Sequence, residues 1–176
     1  MPEGETNSIA AILSHIVRAI FWLAVIIGVV GFVLIGIGVV GSLNGGAVSV
    51  PGMQAYVENV EPGRLVAAMV GLVVFSVGIA YVCAQLSRIL STLAAGDPFV
   101  PENGPRLTRI ATAIALIEIV RNAVVFVLSG LVDLGTNYSP KLLINLAAWG
   151  AVVTLFFLAQ VFREGTRLRE EEKMTI

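Results

Sequence analysis

The chain has 176 residues, of which 57% are hydrophobic and 13% charged, for a net charge of −1 and a mean hydropathy of +0.91. Soluble domains carry about 25% charged residues, so a water-soluble globule is a poor fit, and without a basic stripe no direct nucleic-acid partner is expected. A single cysteine, Cys83, and a single histidine, His15, leave no disulfide within the chain and no ligand set for zinc or haem, so no cofactor is expected.

Residues 1–8 read as a flexible N-terminus, with Glu3 and Glu5 where a secretory signal would be basic. Asn7 or Ser8 is placed to cap a helix that runs on through Arg18. The first uncharged apolar run, about 19–40, follows, and Gly28, Gly31, Gly36, Gly38 and Gly41 expose its backbone to a neighbouring helix. That neighbour is another helix of the chain or a second copy in a homo-oligomer. The connection up to Arg64 holds the turn signals Asn44-Gly45-Gly46 and Val50-Pro51-Gly52. The Val48, Val50, Met53, Tyr56, Val57 and Val60 around them predict a cap on the bundle or a segment lying on the membrane surface.

Further runs occupy about 65–86, 110–132 and 142–162, with Ser139 and Pro140 as the N-cap and first position of the last helix. At ~1.5 Å per residue each covers roughly 30 Å, the thickness of a bilayer's hydrocarbon core. The predicted fold class is all-α: a polytopic four-transmembrane-helix bundle over 9–163, followed by a cytoplasmic helical tail, 164–176. Orientation follows from the basic residues. Arg18, Arg88, Arg106, Arg109, Arg163, Arg167, Arg169 and Lys173 fall on one side, Arg64 and Lys141 on the other. By the positive-inside rule both termini and the middle loop are cytoplasmic.

The third run is unusual because it contains Glu118, Arg121 and Asn122. Arg121 lies twelve residues from both Arg109 and Asp133, about 18 Å along the helix and so near mid-bilayer. Each unpaired charge there costs ~2.5–3.5 kcal/mol. The thirteen Leu, Ile, Val and Phe residues of the run return about 4–8 kcal/mol, so the charges require compensation. Helical spacing gathers Ala111, Ala115, Glu118, Asn122, Val125 and Ser129 on one stripe, with Arg121 beside it. A buried Glu118–Arg121 pair that holds the helix in place is one reading; a polar path or an ionic ligand site is the other.

The middle loop is short and stiff. Gly96 is placed to close helix two in the left-handed conformation, and Pro98 holds Asp97 extended. Asn103 and Pro105 fall at the cap and first turn of helix three, while Phe99 and Val100 dock back on the bundle. In the tail, Arg163, Glu164 and Gly165 lead to Glu170, Glu171 and Glu172, which load a helix C-terminus with negative charge. An internal clamp onto Arg88, Arg106 and Arg109 would relieve this; a solvated tail and a basic partner protein are the alternatives.

The segments GDPFVPENGPRLTRIA (96–111) and VFREGTRLREEEKMTI (161–176) resemble the bacterial domain-of-unknown-function family numbered twenty-nine seventy-five, small four-span membrane proteins. In that family the loop carries a small residue, Pro or Ala before Phe, and an acidic or amide residue before the basic start of helix three. Here these are Gly96, Pro98, Phe99, Asn103 and Arg106. The family's tail runs from an aromatic and basic pair to an acidic stretch and a last Thr before an aliphatic residue, here Phe162, Arg163, Glu170, Glu171, Thr175 and Ile176. The resemblance implies the four-span fold and a bacterial cytoplasmic (inner) membrane address, but no activity. Members are often encoded beside a small helix-turn-helix regulator, which implies by analogy a membrane-associated role with a cytoplasmic regulatory partner.

No enzyme is expected, because Ser14, His15 and Asp97 form no recognisable nucleophile set. The leading expectation is a membrane-embedded interaction or regulatory protein that uses its cytoplasmic loop and tail. The alternative is a small transporter or channel using the stripe of Glu118, Arg121, Asn122 and Ser129, although paired broken helices are lacking.

Overall fold

The computed structural model describes residues 3–44, 47–50, 53–56, 62–131 and 144–174, and side chains within 12–44, 62–126, 144–172 and at 174. They form helix α1 (Glu3–Leu43), strands β1 (Ala47–Val50) and β2 (Met53–Tyr56), and helices α2 (Pro62–Ala94), α3 (Asn103–Leu131) and α4 (Leu146–Met174). Three of the helices, over Ile12–Leu43, Pro62–Ala94 and Leu146–Glu172, are long and apolar enough to cross a membrane among the described residues. The fourth expected span, 110–132, coincides with most of α3 and extends one residue beyond it.

Helix boundaries follow from local chemistry. α1 is helical from Glu3, ahead of the expected cap at Asn7 or Ser8 and through most of the segment expected to be flexible. It closes where the Asn44 N–H donates to the carbonyls of Val40 and Gly41, both at 3.1 Å. Pro62 opens α2, a position where its missing N–H costs nothing. α4 begins at Leu146, later than Ser139 and Pro140 suggest; Ile144 and Asn145 are not helical. The cap is Asn145, whose Oδ1 accepts from the Ala148 N–H at 3.2 Å and so satisfies a donor that has no partner inside the helix. Ser139 and Pro140 themselves lie outside the described residues.

The connection read as a cap contains an antiparallel hairpin, with Val50 paired to Met53 and Ala47 to Tyr56. Its side chains, and Val57 and Val60, lie outside those described.

The chain divides into two compact units. One comprises Met1–Leu23, Gly78–Glu118 and Asn145–Ile176; the other comprises Ala24–Val77 and Ile119–Ile144. In the first, Ile89, Leu107, Ile110 and Ala159 join α2, α3 and α4. Val17, Cys83 and Leu90 join α1 to α2, and Leu86 packs against both clusters. In the second unit Gly28 faces Ser76 and Gly31 faces Leu72, too closely for a Cβ, so these two glycines admit α2, whereas Gly38 is in ordinary contact with Leu65 and Gly36 meets nothing within 4 Å. Trp22, Leu34, Phe126, Phe157 and Val153 are each more than half exposed, as side chains in contact with lipid rather than water would be.

Candidate functional site

The described residues concentrate their specific interactions where the loop between α2 and α3 meets the second half of α4. α2 ends in a Schellman motif: the Asp97 N–H donates to the Thr92 carbonyl and the Gly96 N–H to that of Leu93, both at 3.0 Å. Gly96 has φ of +76°, a conformation that costs a residue with a Cβ. The chain thus turns sharply toward α3.

Asn103 fixes that turn. It is completely buried, and its Nδ2 donates to the Thr92 hydroxyl at 2.7 Å and to the Pro98 carbonyl at 2.9 Å. Its Oδ1 accepts from Arg106 Nη1 at 2.9 Å, and the same guanidinium reaches the Arg88 carbonyl at 3.4 Å. Asn103 is therefore the first residue of α3 rather than its cap. The Arg106 N–H bonds the Glu102 carbonyl instead, at 3.0 Å, and the Asn103 side chain is spent on tying the loop to α2. Pro105 lies in the first turn, where its missing donor is harmless.

From this braced loop Phe99 reaches α4. Its ring centroid lies 5.6 Å from that of Phe162, tilted by 42°, and its edge fills the space above Gly165, where a Cβ would come within 2.6 Å of ring atoms. The single proton of the Thr166 hydroxyl is shared between the Phe99 carbonyl at 3.1 Å and the Phe162 carbonyl of its own helix at 2.9 Å. One turn further, Arg169 forms an ion pair with Asp97. Phe162, Gly165, Thr166 and Arg169 are spaced by three, four and seven residues, which puts them on one face of α4.

The loop and tail are clamped together, but with polarity opposite to that expected from the sequence. The acid is Asp97 on the loop and the base is Arg169 on the tail. Asp97 sits past the C-terminus of α2, where the last carbonyls already carry negative charge, and a cation is favoured there. Within the tail, Arg167 meets Glu164 at 2.7 Å and Glu171 at 3.5 Å; Glu170 and Glu172 are exposed. Arg163 points away from this face, its stem against Gly104 and its Nη2 donating to the Thr108 hydroxyl at 3.2 Å.

The polar stripe of α3 is only partly within the described side chains. Glu118 is buried, with 8% of its surface exposed, and Arg121 and Asn122 are half-buried. Each of the three has an interacting partner. Ser129 lies in α3, but its side chain is outside those described. Among the described residues no group of three or more His, Cys, Asp or Glu is placed to hold a metal ion.

Arg169, Thr92 and Thr166 were missed by sequence reasoning. The signal available was Gly165: an interior helix glycine costs about 1 kcal/mol, which points to a close approach and so to the residues sharing its face.

Three helices long and apolar enough to cross a membrane, among the described residues, make this a helical protein whose composition is that of a membrane protein. The family model described as "Protein of unknown function (DUF2975)" matches residues 47–176, well over half of the chain and inclusive of both loop and tail. The chain belongs to the DUF2975 family. No curated protein and no solved structure matches it.

Proposed function

We propose that the chain crosses a bacterial cytoplasmic membrane four times with both termini and the middle loop on the cytoplasmic side, and that it acts there as an interaction or regulatory protein. Its binding surface is the joined loop and tail. The observation that carries this reading is the docking of the loop motif on the tail: Phe99 against Gly165 and Phe162, Asp97 with Arg169, and Asn103 buried beneath them. A loop fixed on both sides presents a surface whose geometry is set before a partner arrives, which lowers the ordering cost of binding. The eight basic residues assigned to this side support the orientation.

Crosslinking in native membranes, followed by identification of captured cytoplasmic proteins, tests the role. Capture of one protein that is lost when Asp97 and Arg169 are both replaced by alanine is expected. Capture unaffected by those changes would overturn the assignment of the surface. Reporters fused to the two ends test the topology, and signals from opposite faces would refute it.

The transporter reading rests on the burial of Glu118 within α3. Replacing Glu118 and Arg121 together by leucine should leave a folded protein, and an ion flux in liposomes that disappears in this variant would favour transport over the regulatory role.

A further inference from the structure

A groove of about 610 Å³ lies between α3 and α4 on the side away from Phe99, and its chemistry changes along its length. Thr108, Gln160 and Arg163 line one end; Val153, Phe156 and Phe157 line the other. The aromatic end is open, with Val153 68% and Phe157 67% exposed.

We propose that this groove binds one anionic phospholipid from the leaflet nearest the loop, its phosphate on the Arg163 guanidinium and an acyl chain along Val153, Phe156 and Phe157. The inference rests on the membrane placement given above but not on the regulatory role.

Four observations carry it. First, Arg163 is the first charged residue after the apolar part of α4, the level at which headgroups lie. Val153 and Phe157 precede it by ten and six positions, about 15 and 9 Å along the helix, which matches the depth of one leaflet of a ~30 Å hydrocarbon core. Second, the Arg163 guanidinium has no carboxylate partner among the described residues; its one hydrogen bond goes to the Thr108 hydroxyl. The remaining N–H donors form a planar fork that can meet two oxygens of a phosphate. Third, the cation is held in place. A Cβ at Gly104 would come within 2.9 Å of Arg163 Cγ, so the stem lies directly on the α3 backbone and the head is oriented before a ligand arrives. Fourth, the site favours net negative charge over a zwitterion. The lining residues include no acid, and the adjacent Glu164 is occupied by Arg167 at 2.7 Å, which leaves no free carboxylate there for a choline or ethanolamine headgroup. A basic recess between helices at the membrane surface is the general form of such sites.

The test is native mass spectrometry of the full chain in detergent with phosphatidylglycerol, phosphatidylcholine and inorganic phosphate as probes. Phosphatidylglycerol should be retained roughly tenfold more strongly than phosphatidylcholine, because both phosphates can accept from Arg163 but choline also sets a second cation beside the guanidinium with no acid in the lining to meet it. The preference should vanish in Arg163→Gln and return in part in Arg163→Lys. Equal retention of the two lipids in the unaltered protein would overturn the proposal. So would displacement of phosphatidylglycerol by inorganic phosphate, which would make this a site for a free anion. If Arg163→Gln does not fold, Val153→Trp fills the apolar end instead, and undiminished phosphatidylglycerol binding by that variant would refute the site. A chain that stays monodisperse without detergent would instead defeat the membrane placement itself.

Discussion

Replacing Gly165 with alanine sets two effects of opposite sign against each other. In the interior of α4 the change gains about 1 kcal/mol of helix propensity. Against this, the new methyl would meet Phe99 Cδ1 and Cε1 at 2.6 Å, and overpacking of this kind costs about 1–3 kcal/mol. The ring can also swing outward, since Phe99 is already 39% exposed, but it then abandons Phe162, a loss of roughly 0.5–1.5 kcal/mol. The net expectation is within about 0.5 kcal/mol of neutral where the ring swings out and releases the loop, and up to about 2 kcal/mol destabilising where it stays and overpacks. Gly150→Ala in the same helix is the control, because a Cβ there meets nothing within 4 Å. Hydrogen exchange of the amides over 96–102, measured in detergent alongside thermal unfolding, should show faster exchange in Gly165→Ala and none of this in Gly150→Ala. If both variants gain equally in stability and loop exchange does not change, the docking of Phe99 on Gly165 is not what holds the loop.

Asn103→Ala removes two neutral hydrogen bonds and one to a guanidinium from a fully buried site and should cost about 3 kcal/mol, read from denaturant or thermal unfolding. The Asp97–Arg169 pair is about 40% exposed on both sides, so a double-mutant cycle with Asp97→Asn and Arg169→Gln should give a coupling of only ~0.5–1 kcal/mol that weakens with added salt. Asn145→Ala should destabilise α4 by about 1 kcal/mol and speed exchange at the Ala148 amide, whose hydrogen bond it removes.

Features fixed by neighbours in sequence were the legible ones. The end of α2 could be read because Gly96 followed by Asp97 and Pro98 leaves the backbone few choices, and the structure closes the helix there. The glycines of α1 announced a close neighbour without saying which helix it was; Ser76 and Leu72 supply the answer. The start of α4 was misplaced because Ser139-Pro140 and Asn145 both carry helix-start chemistry, and propensity alone does not rank two valid caps. A clamp of Glu170–Glu172 onto the loop arginines is one of three readings the sequence leaves open; the pair that joins loop and tail is Asp97 with Arg169. A run of three glutamates draws attention in a sequence, whereas Arg169 looks like one more solvated base until folding brings it to Asp97, 72 positions earlier. The role of Asn103 is not purely local for a similar reason, since one of its partners, Thr92, lies on the preceding helix.

Leu86 is the side chain shared by the cluster that joins α1 to α2 and the cluster that joins α2 to α3 and α4. Within that unit it makes the melting of one cluster felt by the other. Shortening it should cost more than a hole in either cluster alone, and should loosen the packing of Val17 and Phe21 on α2 together with that of α3 and α4.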